Sequence, residues 1–263
     1  MKSYKSYLLL LLMVFSCSKE GTSEKTIIDE NGNQFTVDTS ANKKSVGDSA
    51  NDLLSEQNFN SLVLEIFYVE DFKPTTSTIW NFESFISERL NKSGNITVKL
   101  NQIVSPGKTI YSITDIKDIE DNIRTAYNLD EQIAVFGLYL DGEYSENTEN
   151  GSVLGVAYRN TSFVIFEETI KEFSGQPLAP STTVLETTVL NHEFGHLLGL
   201  VNAGTTPQSD HQDEVHGRHC DAGSCLMNWT AETGEGLLNS LSGGAVPDLD
   251  EQCISDLQAN GGK

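Results

Sequence analysis

His192, Glu193 and His196 stand in the order His-Glu-x-x-His within the stretch VLETTVLNHEFGHLLGLV, residues 184 to 201. Side chains four positions apart on a helix share a face, so both imidazoles can be aimed at one metal ion while Glu193 stands beside it, free to act as a base. Imidazole donors suit zinc, whose catalytic sites use three protein ligands and leave a fourth position to a water that is to be activated. A motif with two open positions arises by chance, so the flanking residues have to carry a helix as well. They do: Pro180 and the Thr183-x-x-Glu186 pair predict its start, and Leu185, Val189, Leu197 and Leu200 recur at helical spacing.

The third ligand has to come from downstream, where His211, His216 and His219 are available. A carboxylate ligand would have to be Glu214, which lies in a polar loop without a second helix to present it. HEFGHLLG followed by HCDAGSCLM resembles the metzincin peptidases, and among them the archaemetzincins, whose pattern runs His-Glu-x-x-His-x-x-Gly-x-x-His-Cys-x-x-x-x-Cys-x-Met. Gly199, His219, Cys220, Cys225 and Met227 match that pattern. Asn202 departs from it, standing where the pattern has its third histidine, and a long insertion precedes the His-Cys block. The resemblance implies zinc as cofactor, His192, His196 and His219 as its ligands, Glu193 as general base, and Met227 as the methionine of the turn beneath the metal. His216 and His211 remain rivals for the third position.

Four cysteines are present, and Cys220, Cys225 and Cys253 form an odd set once Cys17 is set apart. In an oxidising compartment the expectation is one disulfide with one thiol left over. In archaemetzincins four cysteines hold a second zinc. Here Cys253-Ile254-Ser255-Asp256 has an aspartate where the last cysteine belongs, which leaves a three-cysteine, one-aspartate zinc site as the alternative.

The elements that must position these residues can be read from the periodicity. Leu62 to Val69 reads as a strand buried on both faces, Ile79, Phe82, Phe85, Ile86 and Leu90 as a helical stripe, and Asn95 to Val104 as a strand, together a βαβ unit with a parallel pair. Ile113 to Tyr127 predicts a second helix. Strands follow at 133–140, 153–158 and 162–166, then the His-Glu-x-x-His helix, and Pro247-Asp248-Leu249 opens a last helix carrying Cys253 and Leu257. With the resemblance, this implies an α/β (α+β), metzincin-like fold: a twisted five-stranded mixed sheet with helices, an active-site helix, and a small C-terminal subdomain with the methionine turn. The resemblance also implies that residues 151–158 are an antiparallel edge strand along which a protein or peptide substrate lies extended. Gly151 and Gly155 would suit a backbone approached closely by another chain.

The 263 residues, 38% of them hydrophobic, support one catalytic domain, and a formal charge of −21 argues against a nucleic-acid partner. Residues 1–16 place Lys2 and Lys5 before an apolar run too short to span a bilayer, the pattern of a secretion signal. Val14-Phe15-Ser16-Cys17 resembles a bacterial lipobox, which implies acylation of Cys17 and a membrane contact through lipid. Residues 17–47 are polar and aperiodic and are expected to form a flexible tether, with the domain over 48–263. The reading is a lipid-anchored zinc endopeptidase of the bacterial envelope. The reading from another class is a non-catalytic envelope lipoprotein that keeps the fold, and a zinc, as a binding module for protein or glycan.

Overall fold

The computed structural model describes residues 23–28, 32–148, 151–240 and 244–263. The signal segment 1–16 and Cys17 lie outside the described residues. In chain order the elements are β1 (Glu24–Ile28), β2 (Gln34–Asp38), a 3-10 turn (Thr39–Asn42), α1 (Ala50–Leu54), β3 (Ser61–Val69), α2 (Thr76–Arg89), β4 (Ile96–Ile103), β5 (Ile110–Tyr111) and α3 (Ile113–Ile123). They continue with β6 (Gln132–Leu140), β7 (Glu143–Tyr144), β8 (Gly155–Arg159), β9 (Ser162–Phe166), α4 (Glu167–Ser174), α5 (Thr182–Leu197), a second 3-10 turn (Trp229–Ala231), α6 (Gly234–Ser240) and α7 (Glu251–Ala259). Among the described residues no helix is long and apolar enough to cross a membrane.

The central sheet has five strands in the order β4-β3-β6-β9-β8. β3 pairs in parallel with β4 and β6, β6 in parallel with β9, and only β8 runs antiparallel, at the edge. The apolar runs of β3, β6 and β9 are continuous because both faces of the sheet are covered. Leu62, Leu64, Ile66, Ile133, Val135, Phe163 and Ile165 face a core shared with Phe82 and Ile86 of α2 and with Leu185, Val189 and Phe194 of α5. Phe67, Val69, Phe136, Leu138, Val164 and Phe166 face a second core closed by Ile116 of α3.

A buried ion network fixes the edge strand to α3. The Glu120 carboxylate, fully enclosed, accepts from Arg124 (2.7 Å), Arg159 (2.8 Å) and Ser162 (2.7 Å). Because each charge in it is paired, removal of one partner would strand another and cost about 3–5 kcal/mol. Arg159 ends β8, so this network anchors the end of the strand that borders the functional cavity.

The stretch read as a tether is in part built into the domain. β1 and β2 form an antiparallel hairpin, and the turn after it is buried. Asn42 donates to Asn128 Oδ1 (2.8 Å) and the Ala134 carbonyl (3.1 Å), while Asn160 donates to the Ala41 carbonyl (2.8 Å) and accepts from Lys44 N–H (2.9 Å). Packing onto the domain therefore begins before residue 48, through polar bonds that leave no apolar period to read. Three other expectations shift. α5 is capped by Ser181, which accepts from Val184 N–H, whereas Thr183 and Glu186 turn inward and bond Thr75 and Thr78 across to α2. α4, absent from the predicted order, follows β9 directly. α7 starts beyond Pro247, with Asp250 as its cap.

Candidate active site

α5 brings Glu193 and His196 to the floor of a cavity of about 280 Å³ that is also lined by Val46, Val156, Ala157, Arg218, His219 and Glu232. The helix is held by its apolar face against the sheet and by an edge-to-face contact of Phe194 with Phe82, ring centres 5.1 Å apart. His192, Glu193 and His196 are all buried in its last turns. The His192 and His196 rings lie 4.7 Å apart at 86°, with their Nε2 atoms 3.1 Å apart.

The structure brings His219 to the same point. Its ring centre is 5.3 Å from those of both His192 and His196. The long insertion is folded back as a hairpin-like loop: Asp213 N–H donates to the His219 carbonyl (2.7 Å), Asp221 N–H to the His211 carbonyl (2.9 Å), and Asp213 Oδ1 caps the turn at Val215 and His216. His216 is not among the converging donors; its ring stacks on Trp229 at 4.3 Å and bonds Asp213. Asn202 is exposed and donates to Gln212, away from the cluster.

Hydrogen bonds set which ring nitrogens carry lone pairs. His192 Nδ1 faces the Leu226 carbonyl (2.8 Å) and His219 Nδ1 faces the His216 carbonyl (2.7 Å). A carbonyl can only accept, so both Nδ1 atoms carry a proton, and in the neutral rings both Nε2 atoms are acceptors pointing into the cluster. Nε2 of His219 is buried and has no hydrogen-bond donor among the described residues. Imidazole nitrogens converging in this way, with His196 Nε2 3.1 Å from His192 Nε2, are the donor set of a zinc site. Burial pushes His192 down to about 4 and His196 well below the ordinary histidine range, so both rings are neutral and ready to ligate. Burial works the same way on His219, but the Glu232 carboxylate and the His216 carbonyl more than offset it.

Two supports lie under the cluster. Met227 is buried with its sulfur against the backbone of α5 at Gly195, where any Cβ would collide with it. The Glu193 carboxylate accepts from the Ala157 N–H of β8 at 2.6 Å through Oε2, while Oε1 is buried without a hydrogen-bond partner among the described residues. Burial first, and then the nearby Glu232 charge, push Glu193 well above the ordinary carboxylate range. Gly155 is approached closely, as expected, but from within: a Cβ there would lie 2.7 Å from Val189 Cγ1 and 2.9 Å from Glu193 Oε1. At Gly151 nothing lies closer than Thr148 at 3.8 Å.

Glu232 is the member of the site that sequence reasoning missed. Its carboxylate lies 3.4 Å from His219 Nε2 and 3.8 Å from His192 Nε2. Five positions beyond Met227 in a polar loop, nothing in its spacing distinguishes it.

The expected disulfide is not formed. Cys220, Cys225 and Cys253 are all free and buried, with Cys225 and Cys253 sulfurs 3.6 Å apart. His211 belongs here and not to the first cluster: its Nδ1 faces Cys220 Sγ at 3.5 Å, and its Nε2 is held by Asp256 at 2.8 Å. Asp256 is thus the residue that orients His211 instead of completing the donor set itself. Hydrogen bonds from Cys220 and Cys253 lower the Cys225 pKa, and the same contacts raise that of Cys253, so within this group Cys225 is the acceptor and Cys253 keeps its proton. His211, Cys220, Cys253 and Asp250 each place a donor atom within 4.8 Å of the others, a four-donor set that fits a closed structural zinc site, with the Cys225 sulfur beside it. His219 and Cys220 are consecutive, so adjacent side chains serve the two clusters.

The sequence matches no protein-family model and no curated protein. Among solved structures the chain is similar to an archaemetzincin from Methanopyrus kandleri, at 19% identity over 78% of this chain and 96% of that one, with a TM-score of 0.47. It is also similar to metalloproteinase-II from Bacteroides fragilis, at 14% identity over 89% of this chain and 64% of that one, with a TM-score of 0.42.

Proposed function

We propose that the chain is a zinc-dependent endopeptidase in which His192, His196 and His219 hold the catalytic metal and Glu193 is the general base. The observation that carries this reading is the convergence of three Nε2 atoms beside a carboxylate whose Oε1 has no hydrogen-bond partner among the described residues. Zinc bound there would lower the pKa of its water and polarise the scissile carbonyl. Glu193 Oε1 takes the proton of the attacking water and returns it to the leaving amine. Oε2 is anchored on Ala157 N–H, so the base is held by the same strand that offers its free edge to an extended substrate. The second cluster, Cys220, Cys253, His211 and Asp250, would hold a structural zinc that pins the loop carrying His219. Export and lipid attachment at Cys17 complete the proposal and rest on the N-terminal sequence alone; they put the enzyme in the bacterial envelope, with peptides or proteins as substrates.

The test is Glu193→Gln. Casein cleavage should be lost while the zinc content of the protein is unchanged. A variant that keeps near wild-type turnover, or that loses its metal, refutes the assigned role. Full metal occupancy with no cleavage by the wild type would favour a binding module instead.

A further inference from the structure

The cavity contains a donor that the proposed mechanism does not use. Glu232 Oε1 is 3.4 Å from His219 Nε2 and Oε2 is 3.8 Å from His192 Nε2, so its carboxylate straddles the mouth of the histidine cluster. Their Nδ1 atoms face the His216 and Leu226 carbonyls, so when the rings are neutral both of these Nε2 atoms carry lone pairs. Carboxylate lone pairs set against imidazole lone pairs repel unless a cation lies between them. For zinc with bonds of about 2.0 to 2.1 Å, neighbouring vertices of a tetrahedron are about 3.3 Å apart. The observed separations of 3.1 Å between the two histidines of α5 and of 3.4 and 3.8 Å to Glu232 bracket that edge.

We propose that Glu232 is a fourth protein donor in the histidine site, so that the resting site is closed and Glu232 must swing aside before water and substrate can enter. The inference rests on the reading of that site as a zinc centre. Zinc sites with four protein donors are the structural kind, and catalytic ones keep a position open; a carboxylate on a movable side chain converts one into the other. The anatomy permits this. The backbone of Glu232 is fixed, its carbonyl accepting from Leu154 N–H at 2.8 Å just before β8, and Gly234 N–H donates to the Ser152 carbonyl at 2.9 Å. Its side chain is 26% exposed on the cavity wall, so it can rotate into the cavity without disturbing the strand. The enzyme would then be slow to engage any ligand that competes for the metal.

The experiment compares the whole zinc-loaded protein with Glu232→Ala and Glu232→Gln, the second preserving size as a control on folding, each checked by its thermal melt. Zinc affinity is measured by chelator competition, and acetohydroxamate binding by calorimetry. Glu232→Ala should hold the histidine-site zinc more weakly by at least about tenfold, since even outer partners of a ligand are worth about 10 to 100-fold. It should also bind acetohydroxamate at least about tenfold more tightly, with Glu232→Gln shifted the same way. If zinc and acetohydroxamate affinities of both variants stay within about twofold of wild type, Glu232 lies outside the coordination sphere and pairs with a protonated His219 instead. His219→Ala separates this failure from a deeper one: if it loses no zinc, the histidine site is not a metal centre and both readings fall.

Discussion

Asp256→Ala separates a metal-linked role for the cysteine cluster from simple loop packing. Asp256 is nearly buried, holds His211 Nε2 at 2.8 Å, and accepts from Gln208 N–H at 2.6 Å. A carboxylate that orients a ligating histidine is worth about 10 to 100-fold in metal affinity. At free zinc well above the dissociation constant, stability falls by the same factor, which is about 1.4 to 2.8 kcal/mol. The bond to Gln208 adds about 1 kcal/mol that does not depend on metal. For a domain of this size each kcal/mol moves the melting temperature by about 2–4 °C, so the zinc-dependent part is roughly 3 to 11 °C. Calorimetric melts of wild type and variant, in zinc buffer and again in excess chelator, read it directly. The loss should be large in zinc and small in chelator, and reductant should leave the wild-type melt unmoved. Equal losses in both buffers would refute the metal linkage, and a large drop with reductant alone would restore the disulfide.

Three further outcomes are expected. Gly155→Ala drives a methyl group into Val189 and Glu193, displacing the base; peptidase kcat should fall about tenfold or more, since misplacement by about 1 Å costs of the order of 100-fold, while zinc content holds. His219→Ala should lose one zinc and all cleavage, whereas His216→Ala, which gives up an exposed ion pair worth about 0–1 kcal/mol and a ring contact with Trp229, should keep both under metal analysis and a casein assay. Cys17→Ala should move the expressed protein from the membrane to the soluble fraction on ultracentrifugation, because lipid at that residue is the expected anchor; a variant that still pellets with membranes would contradict it.

What could be read from the sequence followed the apolar periods. β3, β6 and β9 were legible because both faces are buried, and α5 because Leu185, Val189 and Leu197 recur on its inner side. The His-Glu-x-x-His triplet was legible because its spacing is local to one helix. Polar residues that act through long-range bonds left no such trace. Asn42 and Asn160 help dock the N-terminal segment through hydrogen bonds, and Thr183 and Glu186 imitate a helix start while serving as bonds to α2. His211, Asp256 and Glu232 acquire their places only when the loop folds back and α7 docks. Their partners are 45 residues away in sequence for His211 with Asp256, beyond the reach of any spacing rule.

A single peptide bond joins the two donor sets, since His219 points into one and Cys220 into the other. The cysteine cluster thereby works as a clamp on the register of the loop. The stretch between Asn202 and His211 can be lengthened or shortened by a protein engineer without moving His219, because its position is measured from Cys220 and His211 and not from the end of α5. That marks the stretch before His211 as the place to graft new recognition surface beside the cleft.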